Sequence, residues 1–376
     1  MANSNLHKAK KEKNDEFYTQ TADIENELKH YKSHFKNKVV YLNCDDPEWS
    51  NFWKYFTSNF EHLGLKKLIA THYEDDPLKE SYALIVDGDT NGDGKIDGDD
   101  MVKVPMRTNG DFRSSESIVY LEEADIVVTN PPFSLFREYI AQLMKYDKKF
   151  LVVGSNSAIL YTDIFPLIKS NKIWLGKNTV TKFDQPKGPA KSVFTYWYTN
   201  LEYDDRKKEL NLTHTYEPSK YPKYDNYDAI CIKKVVEIPR DYYGVMGVPI
   251  TFLAKHNPEQ FEILGSNRGV YQKKNGYGLS TYLNKKETYK TIFIKQKTTE
   301  DEKMKQFIET WKELNINCIE ADDLMDLSKD SFLVIVGSYE DETGNENNED
   351  FMQLHNLLPD ADVASQYWED NNNGHS

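Results

Sequence analysis

Apolar residues along the chain fall into short clusters whose spacing alternates between two types. Residues 38–43 (KVVYLN), 66–71 (KKLIAT), 124–129 (ADIVVT) and 149–154 (KFLVVG) are compact runs rich in Val, Ile and Leu and bounded by polar residues. Such runs predict buried strands. Between them, apolar positions recur at helical spacing, which predicts helices from about Glu48 to Leu63, over 134–146 (SLFREYIAQLMKY) and near 162–170. Strands alternating with helices imply an α/β fold with a mostly parallel, doubly wound sheet, which takes its ligands at the carboxyl ends of the strands.

From about Lys172 the texture changes: predicted strands shorten, aromatics and lysines dominate, and Gly and Pro recur. A second, less regular region is expected over 172–297, ending in a strand at 290–296. Residues 298–339 are expected to form a small α/β extension, and 340–376 an acidic, disordered tail. No run is long and apolar enough to predict a membrane span. The polar N-terminus MANSNLHKAKKEKNDE does not read as a secretory signal, and Cys44, Cys231 and Cys318 lack metal-ligand spacing. The expected location is therefore the reducing cytoplasm.

The formal net charge of −14 argues against a polyanionic partner until its distribution is considered. Residues 87–100 hold six Asp and one Lys, and residues 340–376 hold ten Asp and Glu without Lys or Arg. Outside these two segments the chain is near neutral.

Chemistry enters at Asn130-Pro131-Pro132-Phe133, directly after the apolar run ADIVVT. An exocyclic amine such as adenine N6 is a poor nucleophile because its lone pair is delocalised into the ring. Two acceptors that hold both its hydrogens favour a tetrahedral nitrogen. The Asn130 side-chain oxygen and the Pro131 carbonyl can be those acceptors, with the two prolines fixing them in advance. Phe133 offers a face to a base extruded from its helix. The string also reads as an ordinary strand-ending turn, but its place between a buried strand and an amphipathic helix favours the chemical reading. Three further signals are weaker singly: Asp15-Glu16-Phe17-Tyr18-Thr19 in a polar arm, Asn43-Cys44-Asp45-Asp46 after the first strand, and Asn109-Gly110-Asp111-Phe112.

In the order DEFYT, VVYLNCDDPEWSNFWKYF, NGDFRS, ADIVVTNPPFSLFREYIAQL, followed by GKNTVTKF, YGVMGVPITFL and EQFEILG, these segments resemble the EcoRI-type adenine-specific DNA methyltransferases from about residue 10 to about residue 297. The resemblance implies a Rossmann-like catalytic core over 1–171 that binds S-adenosylmethionine (SAM), followed by a DNA-recognition region. It implies catalytic roles for Asn130, Pro131, Pro132 and Phe133. It also implies a cofactor pocket lined by Phe17, Tyr18, Asp45, Asp111 and Phe112, to which their neighbours Thr19, Asn43, Cys44 and Asp46 are added. The partners it implies are double-stranded DNA and, in a restriction-modification pair, a cognate restriction endonuclease. Rival readings are methylation of another planar amine (cytosine N4, RNA adenine or a glutamine amide) and a catalytically silent DNA-binding protein of the same fold.

Two features stand apart from the motif. Residues 89–100 fit the twelve-residue calcium loop, with Asp89, Asn91, Asp93, Lys95 through its carbonyl, Asp97 and Asp100 as ligands and Gly94 at the turn. A calcium ion there would staple the loop; the alternatives are a plain Asp/Gly-rich surface loop and a calcium-dependent scaffold module. Lys177, Lys182, Lys187 and Lys191, together with Arg113, are the expected DNA contacts, against the alternative of a solvated lysine-rich loop.

Overall fold

The structure, a computed structural model, describes residues 18–44, 46–76, 78–184, 191–268 and 276–297. Phe17, Asp45, Lys187 and the segments expected over 298–339 and 340–376 lie outside the described residues. The chain divides into two compact units, Met1–Lys295 and Gln296–Ser376, and nearly all the described residues belong to the first.

The four apolar runs form four strands as expected: β2 (Val39–Leu42), β3 (Lys67–His72), β6 (Ile126–Thr129) and β7 (Lys149–Ser155). They pair in parallel in the order β7-β6-β2-β3. Alternate residues serve opposite faces. Val39, Tyr41, Val127, Phe150 and Val152 enter one buried cluster, while Val40, Leu42, Ile126, Val128, Leu151 and Val153 enter another. Burial on both faces is why these strands read as continuous apolar runs.

Only this centre is parallel. On one side lie β4 (Tyr82–Val86) and β5 (Val102–Pro105), which bracket the acidic loop. On the other lie β9 (Lys191–Thr199), β8 (Trp174–Asp184) and the short β1 (Tyr18–Thr19). The sheet thus has nine strands in the order β1-β8-β9-β7-β6-β2-β3-β4-β5, and both flanks are antiparallel. The expectation of a mostly parallel sheet is corrected accordingly: β9 runs antiparallel to both β7 and β8, and β4 to both β3 and β5. The segment 172–199 completes the sheet of the preceding segment. The later strands β10 (Ile230–Cys231), β11 (Met246–Pro249), β12 (Phe261–Ser266) and β15 (Thr291–Gln296) form a four-stranded second sheet. Its Ile230, Val248, Ile292 and Ile294 share a core cluster with Tyr41, Phe150 and Val152 of the first. Two two-residue strands, β13 (Tyr282–Leu283) and β14 (Lys286–Glu287), form a separate hairpin.

Local chemistry sets the helix boundaries. The helix expected from Glu48 starts later, as α2 (Asn51–Ser58), because Ser50 caps it by accepting from the Phe52 and Trp53 amides at 3.1 and 3.3 Å. The helix expected from Ser134 is preceded by a tight turn, Phe133–Leu135, closed by a 2.9 Å bond from the Leu135 amide to the Pro132 carbonyl. The α-helix proper, α4, runs over Phe136–Lys145. Helix α3 (Ser115–Glu123) precedes β6, and α5 (Phe165–Lys169) shortens the helix expected near 162–170.

One buried carboxylate joins the two ends of the nine-stranded sheet's sequence. Helix α1 (Thr21–Leu28) carries Glu27, which is fully buried and accepts from the Lys177 and Asn178 amides, each at 2.8 Å, from the Asn178 side chain at 2.9 Å and from the Tyr31 hydroxyl at 2.9 Å. Burial pushes its pKa up, and these donors oppose that shift. The amides it holds lie where the β8–β9 register slips between Leu175 and Thr179. The carboxylate thus takes up backbone donors at an irregularity in the ladder. The neighbouring β1 is laid along the far end of β8, with Thr19 opposite Phe183.

Candidate active site

Strand order reverses between β2 and β6: β2 continues to β3 on one side, while β6 continues to β7 on the other. Sheets of this kind open a crevice at the carboxyl ends of such a pair. Asn43 and Cys44 follow β2 there, and Asn130 to Phe133 follow β6. The Cys44 amide bonds the Thr129 hydroxyl at 3.2 Å, stitching the two strand ends together.

Asn130 is 7% exposed and Pro131 is buried. The Pro132 carbonyl is spent on Leu135, whereas the Pro131 carbonyl accepts from none of the described residues. Phe133 is half-buried and meets Phe183 edge to face, with ring centroids 6.2 Å apart. Phe183 is the residue paired with Thr19, and the Thr19 carbonyl accepts from the Asn51 side chain at 2.9 Å. The N-terminal strand therefore bridges the Asn-Pro-Pro-Phe loop and the start of α2. The sequence suggests that this aromatic arm docks, on the cofactor or on the core; in the structure its Tyr18–Thr19 strand pairs with the end of β8.

Asn43, almost fully buried, accepts from the Tyr139 hydroxyl of α4, and its amide nitrogen meets no acceptor among the described residues. Tyr139 in turn packs edge to face on Phe112 at 5.1 Å, and Gln142 donates to the Phe112 carbonyl at 3.1 Å. Asn43, the Asn109–Phe112 turn and α4 are therefore one packed unit. Phe112 is itself buried, and the Asp111 carboxylate takes the Arg113 guanidinium at 2.8 and 2.7 Å, which holds its pKa below the usual range. Gly110 sits at φ +75°, in the left-handed region, where an added Cβ would stand 2.2 Å from the His72 carbonyl oxygen.

Asp46 is drawn towards β3: His72 Nδ1 lies 3.2 Å from its carboxylate, and the His72 ring stacks on Tyr82 at 4.7 Å. No motif in the sequence pointed to this pair, since His72 simply ends an apolar run. The Asp46 carboxylate raises the His72 pKa above its ordinary value, with Glu48 and Glu74 adding to the effect against partial burial. A raised histidine pKa contributes stability that is complete below the unfolded value, about 6.5, and is lost as pH rises through the folded value. The wild-type melting temperature should therefore fall relative to that of His72→Gln as pH is raised from about 6 to 8. Parallel melting curves for the two proteins would refute the pairing.

The expected DNA contacts fare unequally. Arg113 is engaged by Asp111 and, at 3.2 Å, by Glu138; Lys177 is paired with Asp205. Lys182 is exposed on β8 with no ion pair among the described residues, and Lys191 begins β9 opposite Phe183. In the acidic loop, Asp89 accepts from the Gly92 and Gly94 amides at 2.6 and 3.0 Å, and Asp100 from the Thr90, Asn91 and Asp97 amides. Gly94 adopts φ +83° as the turn requires. Among the described residues no three His, Cys, Asp or Glu side chains converge as metal ligands. A cavity of about 480 Å³ lined by Lys38, Asp125, Lys148 and Asn200 lies at the amino ends of the strands, opposite the crevice. No described helix is long and apolar enough to cross a membrane.

Comparison with known proteins gives the family. The family model described as "Adenine-specific methyltransferase EcoRI" matches residues 5–192 and 190–311. The Type II methyltransferase M.EcoRI of Escherichia coli is 48% identical over 324 residues, covering 78% of this chain and 97% of that protein. The Type II methyltransferase M.MpnI of Mycoplasma pneumoniae is 39% identical over 324 residues, covering 78% and 98%. M.MgeORF184P of Mycoplasma genitalium is 39% identical over 281 residues, covering 69% and 85%. No solved structure matches the chain. An α/β chain whose Asn-Pro-Pro-Phe loop lies at the reversal point of its sheet, and which matches these proteins over most of its length, belongs to the EcoRI family of adenine-specific methyltransferases.

Proposed function

We propose that the chain transfers the methyl group of SAM to N6 of an adenine that it has rotated out of duplex DNA. The observation that carries this reading is the buried Asn130–Pro131 pair at the reversal point, where the Pro131 carbonyl is left without a donor among the described residues. The Asn130 oxygen and the Pro131 carbonyl each accept one N6 hydrogen, which localises the nitrogen lone pair. Because Pro131 and Pro132 restrict the loop, the acceptors need no reorganisation during the reaction. Phe133, held by Phe183, takes the face of the extruded base.

SAM, when bound, supplies the electrophilic methyl group. The residues at the crevice suit it. The Asn43 amide, without an acceptor among the described residues, can donate to its carboxylate, and the Asp46 and Asp111 carboxylates can accept from its hydroxyl and amino groups. Tyr18, Thr19, Cys44 and Phe112, with Phe17 and Asp45, complete the proposed pocket. Lys182 and Lys191, with Lys187 between them, are proposed to reach DNA from the β8–β9 hairpin. The Type II designation of the relatives supports a place in restriction-modification, with a cognate endonuclease as partner.

The test is to incubate the protein with labelled SAM and unmethylated genomic DNA, then digest to nucleosides. Label in N6-methyladenine is expected. Label in N4-methylcytosine would overturn the base assignment, and absence of label from DNA would overturn the substrate.

Calcium is proposed only as a staple of the acidic loop, on the strength of its ligand spacing and the turn at Gly94. Calcium at about ten times its Kd should stabilise the protein by roughly 1–2 kcal/mol against a chelator control. Asp89→Ala should remove that gain, and equal melting temperatures with calcium and with chelator would dismiss the site.

A further inference from the structure

Arg137 is the second residue of α4, one turn beyond Phe133. It is exposed, and its guanidinium carbon lies 4.4 Å from the centroid of the Tyr161 ring. Tyr161 closes the turn Asn156–Leu160 that follows β7, the strand next to β6. Arg137 and Tyr161 therefore share the carboxyl-end rim on which the Asn-Pro-Pro-Phe loop sits. Among the described residues no carboxylate pairs with Arg137. Its neighbour Glu138 is turned to Arg113, and Arg113 is held by two carboxylates.

From this arrangement, and resting on the DNA-methylating reading above, we propose that Arg137 grips a backbone phosphate flanking the extruded adenine. An arginine lying on an aromatic face keeps the N–H edge of its guanidinium open for bidentate contact with a phosphate, and the stack fixes its direction at little entropic cost. Rotating a nucleotide out of the duplex moves its flanking phosphates, so a cation fixed beside the receiving loop holds the backbone in its rotated form. Arg113, the arginine that the sequence singled out, is neutralised where it stands.

The experiment compares wild type, Arg137→Ala and Arg137→Lys in binding unmethylated genomic DNA between about 50 and 200 mM salt, with SAM binding as a control of the fold. For the alanine variant, affinity should fall roughly tenfold. Its log–log salt slope should shrink by about 0.9, one phosphate contact. The lysine variant should keep the slope, and both should bind SAM as wild type does. An unchanged slope in Arg137→Ala, with wild type binding DNA, overturns the proposal and leaves the methyltransferase reading intact. A wild type that neither binds nor methylates DNA overturns both. Should the alanine variant lose SAM binding, the slope of Arg137→Gln against Arg137→Lys decides in its place: equal slopes overturn the proposal, and a lower slope in the neutral variant supports it.

Discussion

Asn130→Ala should lower the rate of methyl transfer by roughly 10²–10³-fold, the usual effect of removing one preorganised polar group from a site of charge development. The binding of SAM should barely change, because Asn130 follows β6 whereas the proposed cofactor contacts follow β2 and the Asn109–Phe112 turn. The side chain is only 7% exposed, so the substitution also removes buried contacts, and melting curves must accompany the kinetics. A kcat loss with intact SAM binding and an intact fold is the expected signature. A variant that methylates at the wild-type rate would remove Asn130 from the chemistry and leave the loop as a plain strand-ending turn.

The largest structural effect is expected at Gly110→Ala. Two costs combine there. The residue holds φ +75°, which strains any L side chain, and its new Cβ would stand 2.2 Å from the His72 carbonyl oxygen and 2.8 Å from the Ser81 hydroxyl. The first obstacle is backbone and cannot swing aside. Together they should destabilise the protein by roughly 3 kcal/mol or more. Because the displaced segment leads into Asp111 and Phe112, SAM affinity should fall as well, even where the protein remains folded. Gly92→Ala is the informative control: it also has positive φ, +79°, but meets nothing within 4 Å, so it should show the backbone cost alone. Equal melting temperatures for the two variants would mean that the close approach to His72 carries no weight.

Much of the centre was legible in the sequence because its physics is local. The parallel strands β2, β3, β6 and β7 are buried on both faces and so appear as continuous apolar runs. The Asn-Pro-Pro-Phe string announces itself because two prolines after a strand are a local constraint. The segment YALIV of β4 is equally apolar but runs directly into the acidic loop, which breaks the alternation of strand and helix there.

Pairing partners were not legible. That β9 runs antiparallel between β7 and β8, and that a two-residue strand from the N-terminal arm lies on Phe183, depends on contacts between residues up to 166 positions apart, as in Tyr18 opposite Asp184. The same holds for charge. Sequence singled out Arg113 and passed over Arg137, a cation near the same loop. The fold spends the first on Asp111 and Glu138 and lays the second on Tyr161. It also turns Asp46 to His72 and buries Glu27 beneath two β8 amides. Sequence by itself determined which residues are apolar, constrained or reactive, since those properties belong to single side chains and their neighbours. Only the tertiary structure decided which of the charged and polar groups are already committed, because hydrogen bonds and ion pairs act over a few ångströms in space, whatever the distance along the chain.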